Sequence, residues 1–174
     1  NRHIYTIALQ GPKSRKLTEE LIDKKIISLP FFSFDFFDFK NTQVLVSKTG
    51  YSKQGGFEFL FDNAKIACEF WDLIIKEGKP FYIKVGCPNM IERVENALLS
   101  YGNDMTSRDT PYDCSLGKYC SLDMSYDFVG KNSLTKYINN FEKKNIFHVF
   151  FGENDLKIKS KLKCYDDQKE IGEI

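Results

Sequence analysis

Between Ile4 and Gly102 the hydrophobic period of this chain changes repeatedly, and that constrains its fold more than any other feature. Ile4 to Leu9 alternates apolar and polar as a strand does, Gly11-Pro12 interrupts it, and Leu17, Leu21 and Ile22 then recur at helical spacing behind a capping serine, Ser14. Phe32, Phe34 and Phe36 alternate in a second extended run. Lys40-Asn41 supplies a turn and Val44-Leu45-Val46 returns, the pattern of a hairpin with its Phe side in the core. Phe57 to Phe61 is a further strand. Asp62 then stands as cap for a helix whose Ala64, Ala67, Cys68, Trp71, Ile74 and Ile75 form one apolar stripe, with Trp71 read as core and Gly78 and Pro80 as its stop. Phe81 to Val85 reads as another strand. Pro88 suits the first turn of a helix carrying Ile91, Val94, Leu98 and Tyr101, with Gly102 ending it.

Strand and helix signals that alternate around a central hairpin predict an α+β fold of the ferredoxin-like, split βαβ kind for residues 1–102. Periodicity fades over 103–145, with a weak helix from Lys131 to Lys144. From Ile146 short strands separated by charged turns predict the start of a β-rich second domain, of β-barrel type, over 146–174. The chain opens on Asn1-Arg2-His3 without Met and stops inside a strand-like run, so a truncated piece of a longer protein is expected.

Charge and cysteine usage narrow the function classes. Lys plus Arg number 25 and Asp plus Glu 24, so no overall field draws in nucleic acid or an anionic membrane, and any ligand must be recognised locally. The five cysteines form no Cys-x-x-Cys pair, which fits reduced thiols in a cytoplasmic protein and not a zinc or disulfide framework. No apolar run approaches the ~20 residues of a membrane span. His3 and His148 stand alone and read as structural; Cys114 and Cys120 lack a matched base and read as packing; Asn103-Asp104 reads as a turn or capping pair.

One local motif stands out, Gly50-Tyr51-Ser52-Lys53-Gln54-Gly55-Gly56-Phe57-Glu58. It is not a phosphate loop, because the lysine precedes the glycines and no Gly-Lys-Ser/Thr follows. Glycines here let the backbone approach a flat or crowded partner, and strand alternation turns Glu58 to the face opposite Phe57 and Phe59. There it either meets a ligand or faces solvent.

The loop resembles the Gly-Tyr-Thr-Gly-Glu-Asp-Gly-Phe-Glu loop of the glycine-cleavage T-protein (aminomethyltransferase) superfamily. Arg93-Val94-Glu95-Asn96-Ala97-Leu98 and Tyr101-Gly102 resemble that superfamily's Arg-Leu-Glu-Ala-Gly-Leu run and its closing Leu-Tyr-Gly, and the likeness runs from Ala8-Leu9-Gln10-Gly11-Pro12 to Phe128-Val129-Gly130-Lys131. The Ser52 to Gly56 form of the loop, Gly86-Cys87-Pro88-Asn89 and Ile91-Glu92-Arg93 are similar to a branch that demethylates a sulfonium compound; the aminomethyltransferases carry Arg where Asn89 stands. The resemblance implies a tetrahydrofolate-dependent methyltransferase with a small-molecule methyl donor, the catalytic residues lying upstream. A lipoyl carrier protein is its partner only under the aminomethyltransferase reading, and a folate-binding relative without turnover is a further alternative. It also implies three cofactor-binding residues: Glu58 gripping the pterin, Arg93 contacting folate unless it forms an ordinary ion pair, and Tyr51 lining the site. A homo-oligomer is compatible with the sequence but not specified by it.

Overall fold

The computed structural model describes residues 3–86, 90–140 and 162–173. Four strands, β1 (Tyr5–Gln10), β2 (Phe34–Phe39), β3 (Thr42–Ser47) and β4 (Gly56–Phe61), form one sheet in the order β1-β4-β3-β2. Helices α1 (Ser14–Leu21) and α2 (Ala64–Glu77) cover one face of it. The remaining helices are α3 (Met90–Glu95) and α4 (Lys131–Asn139), and a second, two-stranded sheet pairs β5 (Lys163–Asp166) with β6 (Lys169–Glu173). Among the described residues no helix is long and apolar enough to cross a membrane.

The core explains the α+β class. β4 sends Phe57, Phe59 and Phe61 to the helix side, where Phe70 of α2 meets Phe59 and Phe61 with ring centroids 4.7 and 5.2 Å apart, and Phe39 of β2 at 5.0 Å. Such tilted and edge-on contacts add to the burial of the rings themselves. Leu9, Leu17, Val44, Val46, Ala67 and Ile74 complete the layer. Asn63, one residue past the expected Asp62, caps α2, its side chain accepting from the backbone N–H of Lys65 at 2.9 Å and of Ile66 at 3.3 Å. Ser14 is the first residue of α1 and not its cap; its hydroxyl donates to the Gly11 carbonyl at 2.6 Å.

Several expectations are corrected. Every neighbouring strand pair of the sheet is antiparallel, so the described residues form an antiparallel α+β layer. The expected strand at Phe81 to Val85 is absent: Lys79–Phe81 is a 3₁₀ turn, and the backbone N–H groups of Phe81 and Ile83 both return to the Gly78 carbonyl at the end of α2. Those donors are used locally, so no ladder can form. Helix α3 ends at Glu95 and does not reach Tyr101, because Ala97 turns left-handed (φ 53°) and Leu98 N–H bonds back to Arg93 C=O at 2.9 Å. Pro88 lies outside the described residues.

The aromatic hairpin shows the largest difference. Lys40 and Asn41 do make the turn, both with positive φ (48° and 61°), a type I′ geometry. That turn pairs Phe37 with Val44 and Phe39 with Thr42, so Phe37 and Phe39 face the helices. Phe34 and Phe36 fall on the uncovered face, 63 % and 54 % exposed, and Phe32 in the preceding loop is 67 % exposed. Trp71 is likewise not core: the buried stripe of α2 runs Ala67, Phe70, Ile74, and Trp71 stands roughly 100° around the helix from Phe70, 40 % exposed. Cys114 is buried, and burial above all, with Asp109 and Asp113 adding, pushes its thiol up from the ordinary range and away from thiolate reactivity.

Candidate functional site

A cleft of about 590 Å³ runs along the free edge of β1 between the glycine loop, the end of α2 and α3. Its size suits a small organic ligand. Glu58, Tyr51 and Arg93, which come from β4, the loop and α3, all line it.

The sheet register places Glu58. It sits opposite Ala8 of β1 and Ser47 of β3, on the face the helices leave uncovered. Its Oε2 accepts a hydrogen bond from the Thr49 hydroxyl, which also bonds the Ser47 hydroxyl at 2.6 Å. One carboxylate oxygen is thereby fixed in direction by a hydroxyl chain that begins on the neighbouring strand.

Gln10, which no sequence motif singled out, holds the loop over this acid. Its side-chain N–H donates to the Thr49 carbonyl at 3.1 Å and its carbonyl oxygen accepts from the Ser52 hydroxyl at 2.9 Å. Two of the glycines stand too close to β1 for a side chain. A Cβ on Gly50 would stand 2.0 Å from Gln10 Oε1, and one on Gly56 (φ 151°) would stand 2.3 Å from the Leu9 carbonyl oxygen. Gly11 N–H bonds Gly55 C=O at 2.8 Å and closes the loop onto the end of β1.

Arg93 is buried, at 4 % exposure. Its guanidinium forms an ion pair with Asp104, with a second contact from Nη2 to Oδ1 at 3.3 Å, and Nη1 also donates to the Leu98 carbonyl at 3.1 Å. The hydrogen bond to Asp104, more than burial takes away, holds its pKa above the ordinary guanidinium range, so it is a permanent cation. Nε is a buried donor with no hydrogen-bond partner among the described residues. An orphaned donor on a cleft wall fits an acceptor atom of a ligand. The ion-pair partner is thus Asp104, and the Asn103-Asp104 pair does more than turn the chain: Asp104 also accepts from Ser100 N–H at 2.7 Å.

Tyr51 is joined to the same corner. Its hydroxyl donates to Leu99 C=O at 2.8 Å and to Leu98 C=O at 3.1 Å, the latter carbonyl being the one Arg93 holds. Gln54 bonds Glu92, which attaches the loop to α3 as well. Trp71, Phe81 and Tyr82 supply aromatic wall, and Tyr82 does so from a left-handed backbone (φ 62°).

Residues 1–124 match the family model for the GCVT N-terminal domain. The dimethylsulfoniopropionate demethylase of Ruegeria pomeroyi is 32 % identical over 168 residues, which cover 97 % of this chain and 46 % of that protein. An aminomethyltransferase of Thermotoga neapolitana is 33 % identical over 143 residues (79 % of this chain, 38 % of the relative), and one of Alkaliphilus oremlandii 31 % over 159 residues (86 % and 41 %). The chain spans less than half the length of these relatives.

Proposed function

This chain belongs to the family of the GCVT N-terminal domain, and from that premise we propose that it is part of a tetrahydrofolate-dependent methyltransferase that demethylates dimethylsulfoniopropionate to methylmercaptopropionate in the cytoplasm. The observation that carries the reading is the convergence of Glu58, Tyr51 and Arg93, from three separate segments, on one cleft. In this reading residues 1–102 are the folate-binding domain, 103–145 a connection, and the β5–β6 hairpin belongs to a β-rich C-terminal domain beginning near 146.

The cleft's chemistry fits a reduced folate. A carboxylate on the uncovered sheet face suits the two-donor edge of a pterin, where two charge-assisted hydrogen bonds can form at once. Arg93 Nε is a donor for one further acceptor, and Tyr51 is a fixed ring wall. Bound there, tetrahydrofolate supplies N5 as acceptor of the one-carbon unit. The chain's own part is to orient: the Gln10-locked loop, the Thr49-directed carboxylate and the Asp104-locked arginine are preset before any ligand arrives. Orientation of this kind lowers a transfer barrier by up to ~7–11 kcal/mol, and a sulfonium, already an activated leaving group, asks little acid or base help. Aromatic walls favour a cation whose charge spreads as transfer proceeds.

The demethylase relative, which matches 97 % of this chain, supports the sulfonium donor; the aminomethyltransferase relatives support a second reading, transfer from an aminomethyl-lipoyl carrier. A folate-binding relative without turnover is the third. The full-length protein containing this chain, supplied with tetrahydrofolate and either dimethylsulfoniopropionate or the aminomethyl-lipoyl carrier, distinguishes them by chromatography of the folate product. The sulfonium should give 5-methyltetrahydrofolate and the carrier nothing. Methylenetetrahydrofolate from the carrier alone replaces the demethylase reading with the second, and tight binding without product from either donor leaves the third.

A further inference from the structure

Thr49 stands between the glycine loop and the acid beneath it, and its backbone is held from two sides. Its carbonyl accepts from the Gln10 side-chain N–H at 3.1 Å, a contact that crosses from the end of β1. The residue before it, Lys48, is tied through both backbone groups to the loop that precedes β2. Lys48 N–H donates to Ser33 C=O at 2.9 Å, and Lys48 C=O accepts from Phe32 N–H at 3.1 Å. Lys48 Nζ adds a bond to the Leu29 carbonyl at 2.7 Å. With the backbone fixed and a β-branched side chain stiff at χ1, the Thr49 hydroxyl has one settled place.

The two hydroxyls on this turn have only one consistent direction. A threonine hydroxyl carries a single hydrogen, and that hydrogen goes to Glu58 Oε2. The 2.6 Å contact between the Ser47 and Thr49 hydroxyls is therefore a bond that Ser47 donates. Ser47 is the cross-strand neighbour of Glu58, yet its proton serves Thr49. The bonds thus run in series from Ser47 through Thr49 to the carboxylate, an order in which each polarises the next. The last torsion of a glutamate is otherwise broad, so a half-buried acid on an open sheet face would turn freely about it. Pinning one oxygen pins the plane of the group. Thr49 takes one acceptor position on Oε2 and leaves the second, with those of Oε1, for a ligand.

We propose that Thr49 is the positioning residue for Glu58: its hydroxyl, backed by Ser47 and anchored at the Thr49 carbonyl by Gln10, sets the carboxylate plane so that both oxygens meet a two-donor ligand edge together. This role rests on the folate reading of the cleft. Thr49 acts through the acid, so substituting it has no effect once the acid is gone.

The test measures tetrahydrofolate dissociation constants of the full-length protein by titration calorimetry. Thr49→Val keeps the branched shape and removes the hydroxyl; binding should weaken roughly three- to tenfold, the value of about one net hydrogen bond. Thr49→Ser keeps the hydroxyl and should bind within about twofold of the unsubstituted protein. In a Glu58→Ala background, Thr49→Val should change affinity by less than about twofold, because no carboxylate remains to be aimed. Ser47→Ala keeps Thr49 and removes only its backing donor, so its loss should be smaller than that of Thr49→Val. Unchanged affinity in Thr49→Val, an equal loss in Thr49→Ser, or the same loss with and without Glu58 overturns the positioning role while leaving the folate reading intact. A larger loss in Ser47→Ala than in Thr49→Val overturns it too, since Ser47 would then hold the acid directly. Where Thr49→Val fails to fold, Ser47→Ala takes its place: its loss should vanish in the Glu58→Ala background, and a loss that persists there overturns the role. Failure of the unsubstituted protein to bind tetrahydrofolate overturns both readings.

Discussion

The two faces of the four-stranded sheet are built from the same strands and follow different rules. On the helix side β4 presents Phe57, Phe59 and Phe61, all 3 % exposed or less, the last two in contact with Phe70. On the other side the same strand presents Glu58 and Leu60, in rows with Ala8, Ser47, Leu45 and the exposed Phe36. The first face is specified by volume and apolarity, and any register that keeps Phe57, Phe59 and Phe61 together would satisfy it. The second is specified by direction: Glu58 is useful only where a strand edge, a hydroxyl chain and a glutamine-locked loop aim it. Stability therefore resides mainly on one face and recognition on the other, one residue apart in sequence.

The strongest challenge to that division is Phe59→Ala. Removing a fully buried ring from between α2 and the sheet should cost ~3–5 kcal/mol in denaturant unfolding of the full-length protein, while folate affinity per folded molecule changes little. A smaller loss, or a loss of affinity without a loss of stability, would mean that the faces are not separable.

Asp104→Ala comes next and tests the corner where the two roles meet. It leaves a buried guanidinium without its counter-charge, at a cost of ~2–3 kcal/mol. It also frees the Leu98 carbonyl region on which Tyr51 rests, so folate binding should weaken together with stability. Binding that survives the substitution intact would show that Arg93 and Tyr51 are held without Asp104.

Glu58→Gln sharpens the comparison from the other face. Replacing the carboxylate by an amide removes the charge from both proposed ligand bonds, so tetrahydrofolate affinity should fall by ~1–3 kcal/mol, roughly ten- to a hundredfold by titration calorimetry, with unfolding almost unchanged. The smallest effect is expected of Phe36→Ala, whose ring is already more than half exposed: within ~0.5 kcal/mol in stability. A loss as large as that of Phe59→Ala would show that something in the full-length protein covers this face.

The sequence by itself determined the elements whose signals are local. The periods of β1, α1, β4 and α2, the Lys40-Asn41 turn and the placement of Glu58 opposite Phe57 and Phe59 follow from side-chain alternation and helical spacing, which depend only on near neighbours along the chain. So did the family resemblance, which singled out the three residues that line the cleft. Tertiary structure decided what depends on pairing between distant segments. Alternation shows that Phe32, Phe34 and Phe36 share a side but not which side the helices will cover, and the hairpin register placed Phe37 and Phe39 there instead. The apolar stripe of α2 is wider than the surface the sheet can cover, so Trp71 was left for the cleft. The long-range roles of Gln10 and Asp104 carried no signal, since a polar residue acquires such a role only from the carbonyl, hydroxyl or guanidinium that folding brings to it from 11 to 47 positions away. Hydrophobic patterning is a property of the chain, whereas a satisfied polar network exists only between parts of it, and that is why alternation located the elements of the core but neither the face they bury nor the polar contacts that hold the site.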